Sequence, residues 1–149
     1  MIISQFDNYH IIKLTNYHIM KTAFHFFFTL VVYALLDLAF INLFARSFIQ
    51  RQVGPMLARK PDLVAAGIFY LIFVAGILYF CVYPAPNAGR ALLNGAFLGL
   101  VTYSTYELVN KSLLANWPLP LVLVDIAWGI FAGALVSWAG FKIGGFMGV

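Results

Sequence analysis

The sequence predicts an all-α protein: four transmembrane helices packed as an antiparallel bundle. Two observations predict it. Of 149 residues, 63% are hydrophobic and 9% charged, with a mean hydropathy of +0.92, whereas a soluble domain carries about 25% charged residues. The apolar residues also gather into four runs, each close to the roughly 20 residues a helix needs to cross a bilayer. A chain of this size forms one such domain, spanning 20–149. Its lipid bilayer is the first expected partner. The net charge of +4 reports topology and headgroup contact in a membrane protein, and no nucleic-acid partner is expected. The lone cysteine, Cys81, excludes an internal disulfide and reads as an inert core thiol.

Residues 1–19 are polar and unpatterned. They read as a disordered or non-native extension ahead of Met20-Lys21-Thr22, the expected start of the domain. Span one covers about 23–45. It is too long for a signal-peptide core and lacks a small-x-small cleavage site, so it reads as a retained helix. Span two covers about 63–83, span three about 91–114 and span four about 119–141. Prolines mark the breaks: Pro55 and Pro61 in the first loop, Pro84 and Pro86 in the second, Pro118 and Pro120 in the third. Loops two and three are short, which makes consecutive spans antiparallel neighbours.

Loops one and three carry Arg46, Arg51, Arg59, Lys60 and Lys111, against Lys21, Arg90 and Lys142 on the other side, with Lys13 added if the extension is native. The positive-inside rule then puts those loops in the cytoplasm and both termini outside. Arg46, Arg51, Arg59 and Lys60 are expected to rest on anionic headgroups.

Three acids fall within spans: Asp37, Glu107 and Asp125. By helical rise each lies roughly 9–12 Å in from the same membrane face, and Tyr70 falls at that level too. Four helices thus deliver polar groups to one layer. An ionisable residue inside a bilayer is costly and marks a functional site by default. Gly95, Gly99, Tyr103, Glu107 and Lys111 follow one another at i, i+4 on span three, and Asp125, Gly129 and Gly133 do so on span four. Small residues at this spacing let membrane helices approach closely. Run antiparallel, Gly95 and Gly99 meet the Gly133 end, Tyr103 faces Gly129, and Glu107 faces Asp125.

A structural account stands beside the functional one for each acid. Lys111, four residues after Glu107 in the favourable order, would neutralise it. Asp37 would bond Tyr33, one turn back, or a group on a neighbouring helix, and Asp125 would bond Tyr103 or Asn110, since buried polar groups must find partners. If the three acids are close they cannot all be ionised: two like charges about 5 Å apart repel by roughly 3 kcal/mol at an effective dielectric of 20. His25 is the only histidine in a span, with His10 and His18 in the extension. No metal site and no cofactor are therefore expected.

The combination of Asp37 with an aromatic three residues on, Tyr103-x-x-Tyr106-Glu107-x-x-Asn110, Trp117-Pro118 and Asp125-x-x-Trp128 resembles a bacterial membrane-protein family, the domain of unknown function 2177. The resemblance covers about 20–141 and implies a four-helix inner-membrane protein without supplying an activity. The family pattern has Asp where Glu107 stands and Trp where Phe40 stands, so strict geometry at those two positions does not carry over.

Three functional readings follow. In the first, a small transporter, expected to be a homo-oligomer because four short helices enclose little volume, binds a proton or cation at Asp37, Glu107 and Asp125. Tyr70, Tyr103, Asn110 and Trp128 line that site. In the second, a lipid-modifying enzyme or its accessory subunit uses the acids as acid/base groups. In the third, the polar layer only holds together a structural subunit of a membrane complex. No catalytic residue is assigned, and enzyme chemistry is disfavoured because no nucleophile–base pair, phosphate loop or HExxH motif is present.

Overall fold

Helix runs through the chain almost without interruption in the computed structural model, which describes residues 2–149 and the side chains from 13 onward. Helix α1 (Ile2–Phe40) passes through a π-helical turn at Ile41–Ala45 straight into α2 (Arg46–Val53). The Gly54-Pro55 break then acts as expected: Val53 leaves helical geometry at φ −133° and a 3-10 turn, Gly54–Met56, ends the run. Helix α3 (Leu63–Gly76) starts at Asp62, whose carboxylate accepts from the N–H groups of Val64 and Ala65 at 2.9 and 3.0 Å. A second π-helical stretch, Ile77–Val82, extends α3. Asn87 caps α4 (Ala88–Leu113), accepting from the Arg90 N–H at 2.9 Å. Asn116, at φ 62°, turns the chain, and Pro118 and Pro120 open α5 (Leu119–Met147). No strand occurs among the described residues.

The protein is all-helical, and three of its helices are long and apolar enough to cross a membrane: Lys13–Met56, Leu63–Val82 and Leu119–Met147. The expected third run, α4, is absent from that set, for it carries Arg90, Glu107 and Lys111. Its chemistry is acceptable at depth only where neighbours cover it.

Residues expected to be disordered are helical, continuous with the first span; Met1 lies outside the described residues. Lys21 donates to the Gly148 carbonyl at 3.3 Å, so the helix before it runs past the end of α5, exposed from Lys13 to Met20.

The tightest seam joins α4 to α5. A Cβ built on Gly95 would overlap the Gly133 carbonyl and the Ser137 side chain, one on Gly99 the Gly129 carbonyl, and one on Gly129 the Tyr103 ring. The predicted pairing of Gly95 with Gly133 and of Tyr103 with Gly129 is therefore present, contacts falling along α5 as they rise along α4. Close backbone approach of this kind replaces the hydrophobic effect, which supplies little attraction between helices in lipid. Around the seam, Tyr33, Val74, Ile77, Ala132 and Val136 form the fully buried core. Large apolar side chains such as Leu43, 86% exposed, cover the outside, as a bilayer-facing surface requires.

Candidate functional site

Asp37 and Glu107 are each placed by the helix that carries them and held by an aromatic N–H or O–H from elsewhere. Asp37, one turn before the π-helical Ile41–Ala45, accepts from the Tyr70 hydroxyl of α3 at 2.5 Å and from the Trp128 indole of α5 at 3.2 Å. Phe40, one turn on, stacks flat on Trp128 with ring centroids 3.8 Å apart. The Asp37–Phe40 turn of α1 thus docks on Trp128 of α5.

Glu107 is 1% exposed and accepts from the Trp117 indole at 2.8 Å. On its other side it is hydrogen-bonded to the Asp125 carboxyl. A hydrogen bond between two carboxyl groups requires a proton on one of them. The expected ion pair with Lys111 does not form: Lys111 donates instead to the Trp117 carbonyl, at 2.6 Å. Lysine and indole together pin the α4–α5 turn, and Trp117 is a hydrogen-bond donor to the buried acid. The reason is positional. The Lys111 side chain starts a full turn nearer the headgroups, and a carbonyl there meets it without drawing the ammonium inward.

The other proposed partners also differ. Tyr33 bonds Tyr103 rather than Asp37, hydroxyl to hydroxyl at 3.2 Å, and Asp125 turns to Glu107 rather than to Tyr103 or Asn110. Asn110 contributes through its backbone, accepting from the Leu114 N–H. The layer therefore has two halves. Asp37, Tyr70 and Trp128 form one, and Glu107, Asp125 and Trp117 the other, near enough for the Asp37 charge to act on Asp125. The three acids do not close into a cluster able to ligate a metal ion among the described residues. Arg46, Arg51, Arg59 and Lys60 are exposed.

A second polar feature escaped the sequence reading. His25, Thr29, Tyr33 and Asp37 stand at i, i+4 along α1, and the first three are buried. The His25 Nε2–H donates to the Gly140 carbonyl at 2.8 Å, and Thr29 donates back to the His25 carbonyl at 2.9 Å. Gly144 makes room for the imidazole: a Cβ there would lie 2.9 Å from its Cε1. His25 Nδ1 and Ser137 Oγ are buried without hydrogen-bond partners. The i, i+4 spacing of His25, Thr29, Tyr33 and Asp37 is the sequence signal for this stripe.

Apolar crossing helices around an interior layer of acids and aromatics define an integral membrane protein. The chain belongs to the family described as Predicted membrane protein (DUF2177), whose model matches residues 22–142. It is also similar to the Fluoride-specific ion channel FluC of Pseudomonas fluorescens (strain Pf0-1), with 39% identity over 72 residues, 46% of this chain and 58% of that protein. The chain thus spans little more than half the length of this curated relative. No solved structure matches it.

Proposed function

We propose that the chain is a small transporter of the bacterial inner membrane that moves a proton or cation through the acid layer. In this reading α4 crosses as well, giving four antiparallel spans, with loops one and three cytoplasmic and both termini outside. Its covered, glycine-packed face makes such a crossing tolerable despite Glu107. Exposed Arg46, Arg51, Arg59 and Lys60 then meet the anionic leaflet. A homo-oligomer is part of the proposal.

One observation carries it: α1, α3, α4 and α5 all supply a carboxylate or one of its direct partners to a single layer, with a carboxyl–carboxyl hydrogen bond at its centre. Two interacting carboxyl groups titrate as a pair, which suits uptake and release of a proton. The glycine seam leaves no path beside it, but the stripe Asp37, Tyr33, Thr29, His25 leads away from the layer along α1, covering about 18 Å of helix. The likeness to a fluoride channel supports ion movement as the class. The acids argue against an anion as the ion, since a carboxylate about 5 Å away opposes it by roughly 3 kcal/mol.

Proteoliposomes test this. Wild-type protein is expected to carry proton or alkali-cation flux above empty liposomes, and Asp37→Asn and Asp125→Asn are expected to lose it. Flux equal to that of empty liposomes, or fluoride flux that survives both substitutions, overturns the reading. A cytoplasm-dependent reporter active at the C-terminus would reverse the orientation.

A further inference from the structure

A cavity of about 540 Å³ opens between α3 and α4, with Phe69 and Phe73 on one wall, Tyr103 and Tyr106 on the other, and Asp125 at its inner end. Its volume is that of a small-molecule site, ~300–1,000 Å³. The rings form one continuous surface: Phe69 and Phe73 lie 5.8 Å apart between centroids, and Phe73 meets Tyr103 edge-on at 6.1 Å. Phe69 and Tyr106 are exposed on the outer face of their helices, so the mouth faces the acyl chains rather than water.

The Tyr103 and Thr102 hydroxyls beside it are already engaged. The Tyr103 hydroxyl bonds Tyr33, and Thr102 donates to the Leu98 carbonyl at 2.8 Å. Asp125 alone brings charge. Among the described residues no basic side chain is joined to the Asp125–Glu107 pair, Lys111 being held by the Trp117 carbonyl. An unneutralised charge at this depth calls for a cation.

The chemistry of the walls selects which cation. A metal ion would need several oxygen ligands to replace its water, and the site offers one carboxyl pair set among aromatic rings. A lipophilic organic cation has little hydration to lose and is attracted to aromatic faces, most of all when these are desolvated.

We infer that this cavity binds a lipophilic organic cation, a hydrophobic amine or quaternary ammonium entering from the bilayer, with its charge against Asp125 and its apolar groups among Phe69, Phe73, Tyr103 and Tyr106. The inference names the cargo class for the transporter proposed above and rests on that reading for transport, though not for binding.

The test uses the full chain in lipid nanodiscs with radiolabelled phenylpropyltrimethylammonium and its uncharged isostere, in which carbon replaces the nitrogen. Wild type is expected to prefer the cation by about tenfold, the scale of a desolvated cation–π contact. Asp125→Asn, which can still hydrogen-bond Glu107, should lower the preference several-fold, the remainder coming from the aromatic faces. Tyr106→Leu, at an exposed position, should weaken cation binding several-fold while changing isostere binding less. Equal binding of the two probes by wild type, or an undiminished preference in Asp125→Asn, overturns the inference. Inorganic cation flux without probe binding would sink this inference and leave the transport reading; probe binding without flux would do the reverse.

Discussion

Adding one methyl group to Gly99 and one to Gly67 should move stability in opposite directions. At Gly99 the new Cβ would fall on the Gly129 carbonyl, with the Ile130 nitrogen only 3.1 Å away. Both obstacles are backbone, so no side chain can rotate aside, and α4 and α5 must separate by roughly an ångström to restore van der Waals distances. Separation also loosens the neighbouring contacts at Gly95 and Tyr103. Overpacking costs about 1–3 kcal/mol, and Gly99→Ala should sit at the upper end. At Gly67, on α3, a Cβ would meet nothing within 4 Å. There the substitution only restricts the unfolded chain, and Gly67→Ala should gain about 0.4–1 kcal/mol. Unfolding in mixed micelles by SDS titration, followed by tryptophan fluorescence, would measure both variants. If Gly99→Ala unfolds with or after wild type, the seam is not the close backbone contact described, and the placement of Glu107 against Asp125 loses its support.

Other side chains make equally direct tests. Trp117→Phe removes an indole donor from a nearly fully buried acid and should destabilise the protein by about 1–3 kcal/mol in the same titration. Tyr70→Phe should cost about 0.6 kcal/mol and at most about 1.7, the average and maximum for hydrogen bonds between membrane helices, and the loss should vanish in an Asp37→Leu background. Tyr33→Phe should leave Tyr103 without its partner and lower the unfolding midpoint by a similar amount.

Features set by one helix at a time were legible in the sequence. The breaks at Pro55, Pro84 and Pro118 and the α4–α5 register could be read because proline and paired glycines act locally or at fixed spacing. Partner choice was less legible. Lys111 stands at the right spacing for Glu107, but its preference is decided by the Trp117 carbonyl, which reaches it only after the turn at Asn116 has closed. Asp37 chose Tyr70 and Trp128 over Tyr33 because the i−4 tyrosine points across the bundle to α4. The continuity of α1 through Met20 was hidden by polar composition, since helix already propagating from an apolar segment extends into residues that would not start one.

The two halves of the acid layer sit on mechanically different supports. Glu107 and Asp125 lie on the seam where backbone touches backbone, and any shift there must overcome the contacts at Gly99 and Gly129. Asp37 and Tyr70 lie on α1 and α3, the two helices whose regular winding is interrupted by π-helical stretches, at Ile41–Ala45 and Ile77–Val82. Such stretches often occur at functional sites, and they let a helix change its winding. A layer that must open to release an ion would therefore open by moving Asp37 and Tyr70 away from a fixed Glu107–Asp125 pair. Hydrogen exchange in nanodiscs should then show α1 around Ile41–Ala45 and α3 around Ile77–Val82 exchanging faster than the α4–α5 seam. Equal protection across all four regions would leave the layer static and favour a purely structural role for its acids.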